Sequence, residues 1–280
     1  MRFFEGLLVI DRRIIFLLVA IAITLPLFSK VILHIEISPM ARGVYDAVDK
    51  LPPGSKVLVA FDYDPGSAPE LQPMALSFFR HCFTKDLKVI IMGLWPQGPV
   101  QANIALEDIF RDPEIKAKNL KYGVDYVNLG YMVGNEVVIQ RMGSDIQATF
   151  PVDYSGNRTS ELPLMKGIKN FDNIDFVYNL SAGYPGTQEW VQFAADRFHV
   201  KLGAGNTAVQ APGMYPYIPR QLVGILGGMK GGAEYEIIDK HPARAVSYMF
   251  SQGVSHAVVV LFIIIGNFAF FMTRGKKKTS

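Results

Sequence analysis

Two apolar segments, one near each end of the chain, constrain what it can fold into more than any other feature. Residues 254–273, VSHAVVVLFIIIGNFAFFMT, run for 20 residues with only His256 and Asn267 strongly polar, and they end against the basic stretch RGKKK. A bilayer core about 30 Å thick takes about 20 helical residues, so this length and composition predict a transmembrane helix. Residues 14–35, IIFLLVAIAITLPLFSKVILHI, offer a second one of 22 residues, with Lys30 and His34 snorkelling to the interface. A secretory signal peptide is the alternative for this first segment, because Arg12 and Arg13 precede the apolar run. The stretch LPLFSKVILHIEIS lacks a small-x-small cleavage pattern and hydrophobicity resumes after Lys30, so a retained helix is expected.

Basic residues close to the spans set orientation. Arg2, Arg12 and Arg13 precede the first, and Arg274, Lys276, Lys277 and Lys278 follow the second. Both termini are therefore expected in the cytoplasm, in an integral membrane protein of the cell or inner membrane whose central domain is extracytoplasmic. Residues 36–255 hold 20 Lys and Arg against 23 Asp and Glu, a formal charge of −3, whereas the whole chain carries +3. The net basicity is thus a topology signal directed at the anionic inner leaflet, and no patch marks a nucleic-acid partner. The expected organisation is a cytoplasmic segment (1–13), a first span (14–35), a linker with a short helix in GVYDAVDKL (36–55), a soluble domain (56–240), a juxtamembrane helix running into the second span (241–273), and a basic cytoplasmic tail (274–280).

Within the soluble region, short apolar runs alternate with helical patterns. KVLVAFD (56–62), KVIIMGLW (88–95), VDYVNLGY (124–131), IDFVYNLSA (174–182) and HVKLGAGNTAVQ (199–210) read as strands. A helical pattern follows each: PELQPMALSFFRHCF, with Ser67 and Glu70 at capping-box spacing, then VQANIALEDIFRDPEIKAKNL, NEVVIQRMGSDIQ, TQEWVQFAADRF, and a helix over about 217–237. Strand and helix in strict alternation imply an α/β fold with a doubly wound, mainly parallel sheet of about five strands flanked by helices.

In such a sheet the functional crevice lies beyond the carboxyl ends of the strands. The residues there are Asp62 and Asp64 after the first strand, Trp95 after the second, Tyr131 after the third, and Ser181 and Tyr184 after the fourth. FDYDPGS resembles the nucleophile loop of haloacid dehalogenase-type phosphatases, in which two aspartates two apart follow the first strand. That resemblance implies Asp62 as nucleophile, Asp64 as acid/base and Ser181 as a phosphate ligand. The sequence departs from the pattern where that family supplies a later acidic pair for magnesium, since GAGNTAVQAPG carries no acid. The bland alternative has Asp62 and Asp64 accepting from backbone amides in the turn. GAGNT has neither P-loop nor dinucleotide-fingerprint spacing and reads as a turn or a tight helix–sheet contact.

The five histidines (34, 81, 199, 241, 256) are scattered and Cys82 is the only cysteine, so neither a metal centre nor a cofactor is expected. Glycines crowd LGGMKGGAEYE; Gly227, Gly228, Gly231 and Gly232, with Gly253, Ala257 and Gly266 in the second span, are candidate close-packing positions against another element or subunit. No catalytic set is assembled. The reading that follows is a non-enzymatic structural or assembly subunit, partnered by the bilayer and by other membrane proteins or copies of itself. The alternative is a membrane-anchored sensor whose strand-end crevice binds a small ligand, and a haloacid dehalogenase-like hydrolase is the more distant one.

Overall fold

A computed structural model describes residues 10–28 and 35–274. The chain divides into two compact units, one of residues 35–245 and one of the two terminal segments.

The first unit is an α/β domain. Among the described residues its sheet has six strands: β1 (Lys56–Asp62), β2 (Lys88–Gly93), β3 (Tyr126–Tyr131), β4 (Phe176–Ser181), β5 (Leu202–Asn206) and β6 (Leu222–Gly227). They lie in the order β3-β2-β1-β4-β5-β6 and every neighbouring pair is parallel. The runs are mainly apolar and show no polar alternation because both faces of the sheet are covered, so outward positions need no polar residue. Side-chain alternation along β1 shows this: Val57, Val59 and Phe61 enter one core, Leu58 and Ala60 the other. The first core is closed by α2 (Pro39–Asp49), α3 (Ala68–Thr84), α4 (Gly98–Ile109) and α10 (Gly228–Ile238). The second is closed by α6 (Glu136–Met142), α7 (Ile146–Thr149), α9 (Ala211–Met214) and the helical stretch that begins at α8 (Thr187–Trp190) and continues through the π-helical Val191–Ala195. The short helix α5 (Pro113–Ala117) follows α4.

The five anticipated strands are present, and the sixth corrects the expectation of a helix over 217–237. LVGILG is a short apolar run with no decisive period, and strand and helix are indistinguishable in such a run by pattern alone. The helix starts only at Gly228, where φ is +57°. Ser67 stands at the N-cap of α3 without the expected side-chain hydrogen bond; Glu70 instead accepts from the Ala208 amide at 2.8 Å.

Edge strand β6 is packed by α2 at backbone distance. A Cβ on Gly224 would lie 2.1 Å from the Met40 carbonyl oxygen, and one on Gly43 would lie 2.3 Å from that of Val223. At the opposite edge, Tyr154 N donates to the Asn128 carbonyl of β3 at 2.8 Å, which occupies a backbone acceptor there.

The second unit pairs α1 (Arg12–Leu27) with the greater part of α11 (Arg244–Arg274). Ser251 Oγ donates to the Ile23 carbonyl, and Pro26, Ser251 and Ala269 are buried. Phe16, Leu17, Leu25, Ile263, Ile264 and Phe271 are exposed. Among the described residues α11 is the one helix long and apolar enough to cross a membrane. The expected span over 14–35 is thereby reduced: α1 has 16 residues, about 24 Å at 1.5 Å per residue, and ends at Leu27 after Pro26, while residues 29–34 lie outside the described chain. So do residues 1–9 and the tail from 275.

Candidate functional site

Connections leave β1 and β4 in opposite directions, and a doubly wound sheet opens its crevice at that point. Asp62, the last residue of β1, is fully buried there. Its Oδ1 accepts from Leu94 N at 2.7 Å; its Oδ2 accepts from Asn179 Nδ2 at 2.6 Å and from Trp190 Nε1 at 2.9 Å. Burial pushes its carboxyl up to about 7, opposed by these three donors, which favour the ionised form. The network continues through Thr187 Oγ1, which donates to Asn179 Oδ1 at 2.7 Å, and Asn206 Nδ2, which donates to Thr187 Oγ1 at 2.9 Å and to Gln210 Oε1 at 3.3 Å. Ser181 Oγ, also buried, donates to the Gly183 carbonyl at 3.1 Å and lies 3.3 Å from Gln210 Oε1.

The other anticipated residues are dispersed around this core. Trp95 is half-buried, donates from Nε1 to the Pro185 carbonyl at 2.8 Å, and lies so close that a Cβ on Gly183 would be 3.1 Å from its ring. The indole thus lies against the turn that follows β4. Tyr184 is exposed, its hydroxyl donating to Glu136 Oε2 at 3.1 Å, and beside it lies a depression of about 110 Å³ that reaches Thr187, Asn206 and Gln210. Tyr131 is exposed at the end of β3, two strands from β1. Asp64 Oδ1 accepts from Ser67 N at 3.2 Å, as a turn residue does. A nucleophilic carboxylate must present an oxygen to its substrate, and Asp62 presents both to protein donors. Sequence reading missed Asn179, Thr187, Trp190, Asn206 and Gln210; the signal was polar residues inside the apolar runs FVYNLS and LGAGN, which must find partners when buried.

A second polar cluster surrounds α10. Glu234, buried, accepts from both Ser38 N and Ser38 Oγ at 3.0 Å and pairs with Lys230. Glu236, two residues on and also buried, accepts from Ala243 N at 2.8 Å and Ala245 N at 2.9 Å, the entry of α11. Nearby, buried Arg80 donates to Asp112 Oδ2 at 2.7 Å, to Glu114, and to His241 Nε2 at 2.6 Å, with Asp239 Oδ2 3.7 Å from its Nε. Burial raises the Asp239 carboxyl to about 6. His81 stacks on Tyr45 with ring centroids 4.4 Å apart, and its Nδ1 lies 2.8 Å from Tyr235 Oη; burial lowers it to about 4. Between α3, α4 and the α10–α11 connection lies a cavity of about 400 Å³. No group of three His, Cys, Asp or Glu side chains among the described residues is placed to hold a metal ion.

The candidate packing glycines separate by unit. Gly227, Gly228, Gly231 and Gly232 each abut the domain's own atoms: a Cβ at these positions would stand 2.6 to 3.2 Å from Ala211, Ala208, Leu226 and Ala245 in turn. Gly253 and Ala257 are exposed, and neither Gly253 nor Gly266 has an atom within 4 Å of where a Cβ would stand. No protein-family model, no curated protein and no solved structure matches the chain.

Proposed function

We propose that the chain is a membrane-anchored, non-enzymatic subunit whose α/β domain serves assembly, with copies of itself or with other membrane proteins. The observation that carries the reading is the state of the strand-end crevice: Asp62 is sealed in by three protein donors, Trp95 is tied to the turn after β4, and the depression beside that turn holds only about 110 Å³. A domain with so little open volume at its strand ends is suited to presenting a surface. Tyr131, Val133, Val137 and Tyr184 are large exposed side chains near that end. The anchor is α11, accompanied by α1, whose Ser251–Ile23 hydrogen bond and outward apolar faces suit a helix hairpin in lipid. In this reading both termini are cytoplasmic and the domain is extracytoplasmic. The test is the mass of the native particle after mild detergent extraction, with identification of what co-purifies. A defined complex several times the mass of the 31.1 kDa chain is expected, and a monomer would overturn the reading.

A further inference from the structure

The cavity of about 400 Å³ between α3, α4 and the α10–α11 connection has the size of a small-ligand pocket and takes no part in the reading above. Its aliphatic lining is Ile109, buried, and Leu76, half-buried, with Pro242 and Ala243 exposed at the rim. Its charges are grouped unevenly. In one ion-pair network Arg111 and Arg244 both pair with a single carboxylate, Asp108, at 3.1 and 2.8 Å. Both arginines are more than half exposed, so either can turn to another acceptor. In a second network the Arg80 guanidinium, with the His241 ring beside it, stands among three carboxylates, Asp112, Glu114 and Asp239, and the buried Glu236 carboxylate also lines the cavity. The first network therefore has a cation in excess and the second has anions in excess, and both line the same cavity.

The geometry points to a zwitterionic amphiphile as the occupant: an acid group, phosphate or carboxylate, between Arg111 and Arg244, an ammonium towards Asp112 and Asp239, and a hydrocarbon chain against Leu76 and Ile109. A purely anionic head would meet the carboxylate-rich network, and a purely cationic head would meet the two arginines, so both are disfavoured by charge. Every residue of this site belongs to the α/β domain, and its occupancy does not depend on the stoichiometry of any assembly.

The test uses the full chain in a maltoside detergent, with bound lipid counted by native mass spectrometry. Lysophosphatidylethanolamine is the probe, lysophosphatidylglycerol the anionic comparison, and glycerophosphoethanolamine the head without its chain. One lysophosphatidylethanolamine per chain is expected, retained at least tenfold better than either comparison. Arg111→Glu with Arg244→Glu, and separately Ala243→Phe, which narrows the cavity from an exposed position, should each reduce retention at least tenfold in protein with an unchanged melting transition. Equal retention of the anionic lipid, retention of the chainless head, or retention indifferent to both variants would overturn the assignment, the last of these indicating lipid held on the apolar helices. A monomeric particle would leave this result standing, so the two readings fail separately.

Discussion

At the scale of single residues, Asp62 is the most informative position. Its two oxygens receive three donors, so an asparagine, with one oxygen and an NH₂ group, must set a donor against a donor. Asp62→Asn is expected to lose about 1–3 kcal/mol of stability in denaturant unfolding, although it removes a buried charge. The same residue gives a pH signature. With the folded carboxyl raised to about 7 and an unfolded one near 4, the folded state binds the extra proton between those values, so stability rises as pH falls. His81, lowered to about 4 by burial, acts in the opposite sense, removing stability as pH drops below about 6.5. From pH 8 to 6.5 Asp62 should contribute a gain of about 1 kcal/mol; His81 and Asp239 also titrate near this window, in opposite senses, so the Asp62 effect is read as the difference between the native chain and Asp62→Asn, which should gain less. Parallel curves for the two proteins would refute the assignment. That Asp62 ends a strand was legible in KVLVAFD. Its partners were not, because Asn179, Trp190 and the Leu94 amide come from segments that only the crossovers bring together.

At the scale of elements, the contact of α2 with β6 sets a strict spatial requirement. At Gly224 a Cβ would meet the Met40 carbonyl oxygen at 2.1 Å and Val44 N at 2.9 Å, and backbone on both sides leaves nothing that can rotate away. Gly224→Ala is expected to cost about 1–3 kcal/mol, measured as a shift in denaturant midpoint, whereas Gly213→Ala, with nothing within 4 Å, should be neutral. An unchanged midpoint in the first variant would show that α2 is free to move. The same elements mark the limit of sequence reading. Strands β1 to β5 were legible because each is an apolar run followed by a helical period. β6 was absorbed into its neighbouring helix, since LVGILGGMKGG offers glycine on both sides of the boundary and no polar residue until Lys230. The glycine cluster was read as a packing device, and its partners are elements of its own domain.

At the scale of the whole molecule, the terminal helices carry the remaining question of topology. The C-terminal apolar helix was legible from length and charge alone, whereas the N-terminal one was overestimated: a 22-residue window contains Pro26, and the described helix stops at Leu27. If α1 crosses the bilayer beside α11, cysteines placed at residues 3 and 279 should both resist an impermeant maleimide in intact cells and both label after permeabilisation. Labelling of residue 3 alone in intact cells would leave α11 as the single span. Helix α10 adds a consequence for how the domain bears load. Glu234 grips the chain where it enters at Ser38, and Glu236 grips it where it leaves at Ala243 and Ala245. Tension between the two tails thus has a short route through one turn of one helix, and the six-stranded sheet lies off that line of force.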